Sequence, residues 1–404
     1  MKVNMEVEIV KFDNLGRGIG YINNKIIFVP KTVPGDIINV EIINEHSKYY
    51  EGKIIDIVKL SKKRIDSVCP YFKKCGGCDL LHISLSDRLE YKLEKVRDIL
   101  NNNKISCNVT KISKSDDSYN YRNKITLKVE NTIIGLYENS THDIVKIDNC
   151  LLCNDKINEV LKDIHKLNII DGEIVIRSNY KGDLLISINS NDKVENIDYF
   201  VDNYLVVGIV QNNKCIYGQD YFIDKINDYL FKVSYNSFFQ INPYICSKLF
   251  NLIKENTIDS KNILDLYCGV GTLSIVAKNE SNHVLGVEIN ENAIKDANLN
   301  KCLNKIDNID FICSDTKNIL DKISSDYDTV ILDPPRSGVE DNVLSKIINE
   351  NINKIIYVSC NPSTLARDLV KLEKSYDIKH IELLDMFPNT HHVETVCIMN
   401  LKKC

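Results

Sequence analysis

The sequence predicts an α/β protein: a doubly wound, Rossmann-like sheet in the C-terminal part, an α+β middle and a small OB-like β-barrel at the N-terminus. Three observations carry that reading. From residue 231 onward, apolar runs (NILDLYCG, HVLGVE, IDFICSD, TVILDPP, KIIYVSC) alternate with helix-like segments, the pattern of parallel strands buried on both faces. Before residue 60, the runs MEVEIVKF, GIGYINNKIIFVP, DIINVEII and YEGKIIDIVKL alternate polar with apolar residues between Gly, Pro and Asn turns, as a small antiparallel barrel does. Between these regions YRNKITLKV, GEIVIRS, DLLISIN and YLVVGIV mix with the helical INEVLKDIHKL.

A chain of 404 residues exceeds the usual size of one domain, and three are expected: 1–62, 63–230 and 231–404. In the first, Gly16, Gly18, Gly20 and Pro34-Gly35 read as turn or bulge positions. In the second, SLSDRLEYKLEKVRDIL places Leu85, Leu89, Leu93, Val96 and Leu100 on one stripe of a packing helix. In the third, IKHIELLDMF and TVCIMNLKK follow one another without a helix, as an antiparallel edge pair would, giving about seven strands.

There is no run of 18 apolar residues, and MKVNMEVEIV lacks a signal-peptide core, so a cytosolic protein without membrane contact is expected. Fourteen cysteines scattered through a long chain then read as reduced thiols, metal ligands or catalytic groups, not a disulfide framework. The net charge of −5 argues against a uniformly basic coat. Yet residues 1–130 carry 23 Lys and Arg against 17 Asp and Glu, and the remainder 28 against 39. An anionic partner held at the N-terminal side is compatible with that asymmetry.

DLYCGVGTLS, residues 265–274, ends a strand in a Gly-rich turn that opens a helix, at the sheet edge where doubly wound folds bind ligands. Glu288 ends the following strand, where its carboxylate can meet the ribose hydroxyls of a nucleoside cofactor. Gly269 and Gly271 also suit a dinucleotide, but Thr272-Leu273-Ser274 replaces the third glycine of that fingerprint, which favours S-adenosylmethionine. Asp315 reads either as an adenine contact or as a helix N-cap.

DPPR, residues 333–336, fixes an acid between a strand and two prolines. The related pattern with an aromatic after the prolines serves methylation of exocyclic amines; Arg336 stands there instead, which weakens that reading. Carbon 5 of a pyrimidine becomes nucleophilic when a thiolate adds to carbon 6, and VSCNPSTLARD offers Cys360 at a strand end. Asn361 as N-cap and Pro362 as first helical residue put the sulfur near a positive helix terminus, which is expected to help ionise it. A base must then remove the carbon 5 proton: Glu394 in HHVETV, with His391 and His392 as rivals. Cys268 reads as inert filler. The target nucleotide must be extruded or single-stranded. A noncatalytic RNA-binding factor is the alternative from another class. Cys69, Cys75 and Cys78, spaced C-x5-C-x2-C, with one distant thiolate suit zinc or an iron-sulfur cluster.

The ordered set SFFQIN, DLYCGVGTLS, ILDPPRSG, VSCNPSTLARD and DMFPNTHHVETV resembles the RNA uracil-5-methyltransferase family over nearly the whole chain. It is most similar to the ribosomal-RNA branch, which carries an N-terminal TRAM barrel and an iron-sulfur cluster. The resemblance implies methyl transfer to a uridine of 23S ribosomal RNA, with Cys360 as nucleophile and Glu394 as base. It implies S-adenosylmethionine contacts at Gln240, Tyr267, Thr272, Glu288 and Asp315, with Asp333 as the acid near cofactor and target base. It also implies a [4Fe-4S] cluster on Cys69, Cys75, Cys78 and Cys150, with Cys153 as a rival fourth ligand. Thr272, Asp315 and His391 depart from residues common in close relatives, and a monomer is the default.

Overall fold

The computed structural model describes residues 5–105, 107, 109, 111–115, 117–139, 141–280 and 282–403; the MKVN opening of the N-terminal run lies outside them. Strands β1 (Met5–Glu8), β2 (Lys11–Phe12), β3 (Gly18–Ile22), β4 (Lys25–Val29), β5 (Ile37–Glu45) and β6 (Tyr49–Lys59) form one sheet in the order β1-β5-β6-β4-β3-β2. Just past β1 the Val10 N–H donates to Ile19 O at 2.8 Å, curling the sheet back on itself. Alternation puts Val7, Ile27, Val29, Ile38 and Val40 inside. Gly18 and Gly20 lie within β3 instead of in a turn. A Cβ there would stand 2.0 Å from Thr32 Oγ1 and 2.3 Å from Val7 Cγ1, so close packing of the small barrel excludes one.

Helix α1 (Leu85–Asn102) starts at Ser84, whose hydroxyl accepts the Asp87 N–H at 3.1 Å. The next strand, β7 (Lys111–Ser113), is short. A seven-stranded sheet then follows from β8 (Lys124–Glu130), β9 (Ile133–Tyr137), β10 (Ile144–Lys146), β11 (Gly172–Ser178), β12 (Leu184–Asn189), β13 (Val206–Gln211) and β14 (Lys214–Gly218). Helices α2 (Asp155–Leu161) and α3 (Ile197–Asn203) bury Ile157, Val160 and Phe200 with Ile125, Leu127, Ile174 and Ile176. A hairpin of β15 (Tyr221–Ile226) and β16 (Tyr229–Ser234) leads on.

The last sheet is built from β17 (Asn262–Leu266), β18 (His283–Glu288), β19 (Ile309–Cys313), β20 (Thr329–Leu332), β21 (Lys354–Ser359), β22 (Tyr376–Leu384) and β23 (Glu394–Leu401). Around it lie α4 (Pro243–Thr257), α5 (Thr272–Ala277), α6 (Glu291–Leu303), α7 (Asp341–Asn349) and α8 (Pro362–Leu372). Its order is β19-β18-β17-β20-β21-β23-β22-β7, with β17 to β21 parallel. The final antiparallel pair is not the edge that the sequence suggested. β23 inserts between β21 and β22, and β7 runs parallel to β22 outside it. Buried Glu382 explains the addition: it accepts from Lys111 Nζ at 2.9 Å and Ser113 Oγ at 2.6 Å.

α1 belongs to this packing too, since Leu93, Val96, Ile99 and Leu100 enter the core with Leu365 and Leu369 of α8. Among the described residues no helix is long and apolar enough to cross a membrane. α1 also buries a charge: Lys92 Nζ lies 2.5 Å from Asp385 Oδ1, their side chains 1% and 4% exposed. Removing one partner of such a pair strands the other, so Lys92→Met is expected to cost about 3–5 kcal/mol in urea unfolding. Lys92→Met with Asp385→Leu should recover most of that loss; a single variant as stable as the wild type would refute the assignment.

Candidate active site

Parallel strands deliver their carboxyl ends to one sheet edge, and the chemistry-bearing residues gather there. Beyond β17 the turn to α5 holds Tyr267, Gly269 and Gly271 at φ of 65°, 55° and 78°. That conformation suits glycine and strains tyrosine. A Cβ on Gly271 would meet the Phe311 ring at 2.6 Å, whereas nothing lies within 4 Å of one on Gly269. Gly271 is therefore a packing glycine, and Gly269 borders the space a ligand can enter. Glu288, at the end of β18, accepts from the Gly269 N–H at 3.1 Å and the Asn290 N–H at 2.9 Å, which fixes its carboxylate beside that space.

The Tyr267 hydroxyl donates to Glu340 Oε2 at 2.5 Å and accepts from Thr316 Oγ1 at 3.2 Å. Thr272 is the first residue of α5. Gln240 lies just before α4, its carbonyl held by Asn123 Nδ2 at 3.1 Å from the entry to β8. Asp315 caps the short helical turn Thr316–Lys322, accepting the Lys317 N–H at 3.1 Å and pairing with Lys317 Nζ at 2.8 Å. The N-cap that the sequence suggested for Asp315 is present.

Cys360 and Glu394 are brought together by backbone pairing. Ser359 of β21 pairs with Thr395 of β23 as the last pair of that antiparallel ladder; Cys360 follows the one and Glu394 precedes the other, close enough for the Glu394 charge to act on the thiol. Asp333 follows β20, the other neighbour of β21. Arg336 reaches the same place, its charge acting on both Cys360 and Glu394. Burial, reinforced by Asp333 and opposed by Arg336, pushes the Glu394 carboxyl far above the usual range. Burial raises Asp333 to about 7.

These acids overturn one expectation. The helix is present, with Asn361 Oδ1 accepting the Ser363 N–H at 3.1 Å. The Cys360 thiol is nevertheless pushed up, first by burial and then by Glu394 and Asp333, against the pull of Arg336. One helix end does not outweigh burial beside two carboxyl groups.

The rival histidines are otherwise engaged. His391 Nδ1 donates to Asp79 Oδ2 at 2.7 Å, and burial lowers His392 to about 3, so it stays neutral. Cys268 is buried and its thiol raised by burial, in keeping with filler. Sequence reasoning missed Asp265, which is fully buried and held at about 7 by burial, with Ser274 Oγ donating to it at 2.5 Å. Its only signal was one acid inside the apolar run NILDL. Arg336 was noticed as a missing aromatic, not as the cation of the site.

All described cysteines are free thiols. The loop 69–82 lies against the barrel and the middle sheet: Lys31 Nζ donates to Cys75 O at 2.7 Å, and the Gly76 N–H to Tyr137 O at 2.9 Å. Burial raises Cys69, Cys75 and Cys78, and a charge on Cys150 raises all three further. Cys150 is drawn down to about 6 by a hydrogen bond from the Cys153 thiol. Among the described residues no group of three or more His, Cys, Asp or Glu is arranged to hold a metal ion.

A doubly wound sheet with a Gly-rich loop and an acid on the next strand defines a Rossmann-like, S-adenosylmethionine-binding fold. The family model described as tRNA (Uracil-5-)-methyltransferase matches residues 84–403, and the TRAM domain model matches residues 4–55. An uncharacterised RNA methyltransferase of Clostridium acetobutylicum is 33% identical over 98% of this chain and 96% of its own length. One of Clostridium tetani is 34% identical over 95% and 93%. The crystal structure of Pyrococcus abyssi tRNA (uracil-54, C5)-methyltransferase with S-adenosyl-L-homocysteine superposes with a TM-score of 0.82 at 26% identity, over 98% of this chain and 100% of that one. The chain belongs to the tRNA (uracil-5-)-methyltransferase family. It is an RNA (uracil-5) methyltransferase that uses S-adenosylmethionine.

Asp333 gives the site a pH signature. Its folded value near 7 lies above that of the unfolded chain, so its contribution to stability is full below the ordinary carboxylate range and is lost as pH rises through about 7. Asp333→Asn stays neutral throughout. Its melting temperature relative to the wild type is expected to rise from about pH 5 to about pH 8; a pH-independent difference would contradict the burial.

Proposed function

We propose that the protein methylates carbon 5 of a uridine in 23S ribosomal RNA through a covalent adduct of Cys360 at carbon 6, with Glu394 removing the carbon 5 proton. The nearness of Cys360 and Glu394 beside the end of the β21–β23 ladder supports this reading. Gln240, Tyr267, Thr272, Glu288, Asp315 and Asp333 are the residues assigned to the cofactor; the open space beside Gly269, with Glu288 held next to it, supports that assignment. Bound there, S-adenosylmethionine supplies an electrophilic methyl group to carbon 5.

The thiol holds its proton in the free site, so addition needs a proton acceptor. Asp333, with a value near 7, is matched to that task at neutral pH. As the sulfur–carbon 6 bond forms, the 5,6 double bond moves its electrons towards the ring carbonyl and carbon 5 becomes nucleophilic. Once carbon 5 carries the methyl group, Glu394, having first released its own proton to solvent, takes the carbon 5 proton as the carboxylate. The electrons left behind re-form the double bond and expel the Cys360 thiolate. Two close carboxyls in a buried pocket do not both ionise readily, and Arg336 offsets that penalty for the base.

Incubation with 5-fluorouridine RNA and cofactor tests the chemistry, because fluorine cannot leave as a proton does. A denaturing gel should show a protein–RNA adduct that Cys360→Ala abolishes. Methylation by that variant at the wild-type rate would refute the covalent route and return the amine-type alternative.

The barrel, the cysteine loop and the resemblance to the ribosomal-RNA branch support ribosomal RNA. The likeness to the Pyrococcus abyssi tRNA enzyme over the whole chain carries a second reading, a tRNA target. Mapping 5-methyluridine in a deletion strain separates them: loss from 23S RNA is expected, and loss from tRNA alone would favour the second.

For the cysteine loop we propose a [4Fe-4S] cluster on Cys69, Cys75, Cys78 and Cys150. The resemblance to the ribosomal-RNA branch supports the cluster, while the C-x5-C-x2-C spacing with one distant thiolate also suits zinc. Cys153, fully buried and donating its thiol proton, supports Cys150 instead of competing with it. The cluster would cross-link the loop to the turn at 150. An anaerobic preparation should be brown, with visible absorbance lost in Cys150→Ser and kept in Cys153→Ala; a colourless, zinc-loaded protein would defeat the proposal.

A further inference from the structure

Between β22 and β23 the chain passes from Asp385 to Val393 without helix or strand, yet this stretch carries Glu394 on its end. Its carbonyls are held one after another by donors from outside the sheet strands. Asn242 Nδ2 donates to Met386 O at 3.2 Å, Lys92 Nζ to Phe387 O at 3.0 Å and the Tyr121 hydroxyl to Pro388 O at 3.1 Å. The N–H groups of Asp79 and Leu80 both donate to Asn389 O at 3.1 Å, and Lys95 Nζ to His391 O at 2.9 Å. Asn389 itself sits at φ 68°, its Nδ2 donating to Ser118 O at 2.7 Å. An irregular segment fixed this thoroughly is being held in one place, because ordering each residue costs backbone entropy that the bonds must offset.

Asp79 makes the most specific of these contacts. Its Oδ2 accepts both the His391 N–H at 3.1 Å and His391 Nδ1 at 2.7 Å, three residues before the base. Cys360 is placed by other elements, namely β21 and the Asn361 cap of α8.

We propose that the Asp79–His391 pair is a positioning device for Glu394, setting the base for removal of the carbon 5 proton and leaving thiol addition to elements it does not hold. The inference rests on the reaction proposed above. Base and nucleophile sit on neighbouring strands but are anchored differently, so loosening the His391 anchor affects the two halves of the reaction unequally. The adduct still forms and accepts the methyl group. It then breaks down slowly, because a carboxylate displaced by about 1 Å can lose as much as 100-fold in rate.

The test compares His391→Ala with His391→Asn, neither of which changes a residue of the cysteine loop. With ordinary uridine RNA and cofactor, His391→Ala should accumulate a covalent protein–RNA complex on a denaturing gel. Its kcat should fall about 10- to 100-fold with KM for RNA unchanged. His391→Asn, whose Nδ2 can still donate to Asp79, should recover most of the turnover. Equal loss of turnover and of adduct formation on 5-fluorouridine RNA would mark a general fold defect and overturn the inference, as would wild-type turnover by His391→Ala. If the wild-type protein itself traps no adduct on 5-fluorouridine RNA, the covalent reaction fails first and the positioning role falls with it.

Discussion

The antiparallel register between β21 and β23 is the constraint on which the site depends. Two residues far apart in sequence, Cys360 and Glu394, become neighbours because they flank the last pair of that ladder, Ser359 with Thr395. Side chains alternate along a strand, so a one-residue slip would turn Glu394 away from the sulfur. The β20–β21 pairing brings Asp333 to the same edge by the same means. Ladder hydrogen bonds thus set the geometry of the reacting groups before any side-chain contact is considered.

Placing a thiol and two carboxyl groups in one buried space has an electrostatic consequence. All three are pushed towards their neutral forms, and Arg336 is the cation that counters this for Cys360 and Glu394. The free site therefore stores protons and does not present a preformed thiolate. That arrangement suits the nucleophile proposed for Cys360, since proton transfer to Asp333 can accompany bond formation.

The N-terminal part is tied into this centre. The loop 69–82 holds the barrel through Lys31, the middle sheet through Gly76 and the segment before Glu394 through Asp79. α1 contributes Lys92 and Lys95 to the same segment and packs Leu93 and Val96 into the last core. Barrel, cysteine loop and catalytic sheet therefore meet at one stretch of nine residues, from Asp385 to Val393.

Much of this was legible in the sequence because it is local. Apolar runs followed by helices announce a doubly wound sheet, DLYCGVG announces its ligand edge, and Asn361-Pro362 announces the start of α8; each is a property of adjacent residues. The family resemblance chose Glu394 over His391 and His392 as the base for Cys360, which no periodicity reveals. Tertiary structure alone decided the rest. β7 is too short to show a period, so its place beside β22 depended on Lys111 and Ser113 finding Glu382. Asp265 looked like one acid in an apolar strand until burial raised it to about 7. The thiol's protonation reversed for the same reason: a helix terminus is written in neighbouring residues, but desolvation and the charges of Asp333 and Glu394 come from strands that only folding brings alongside.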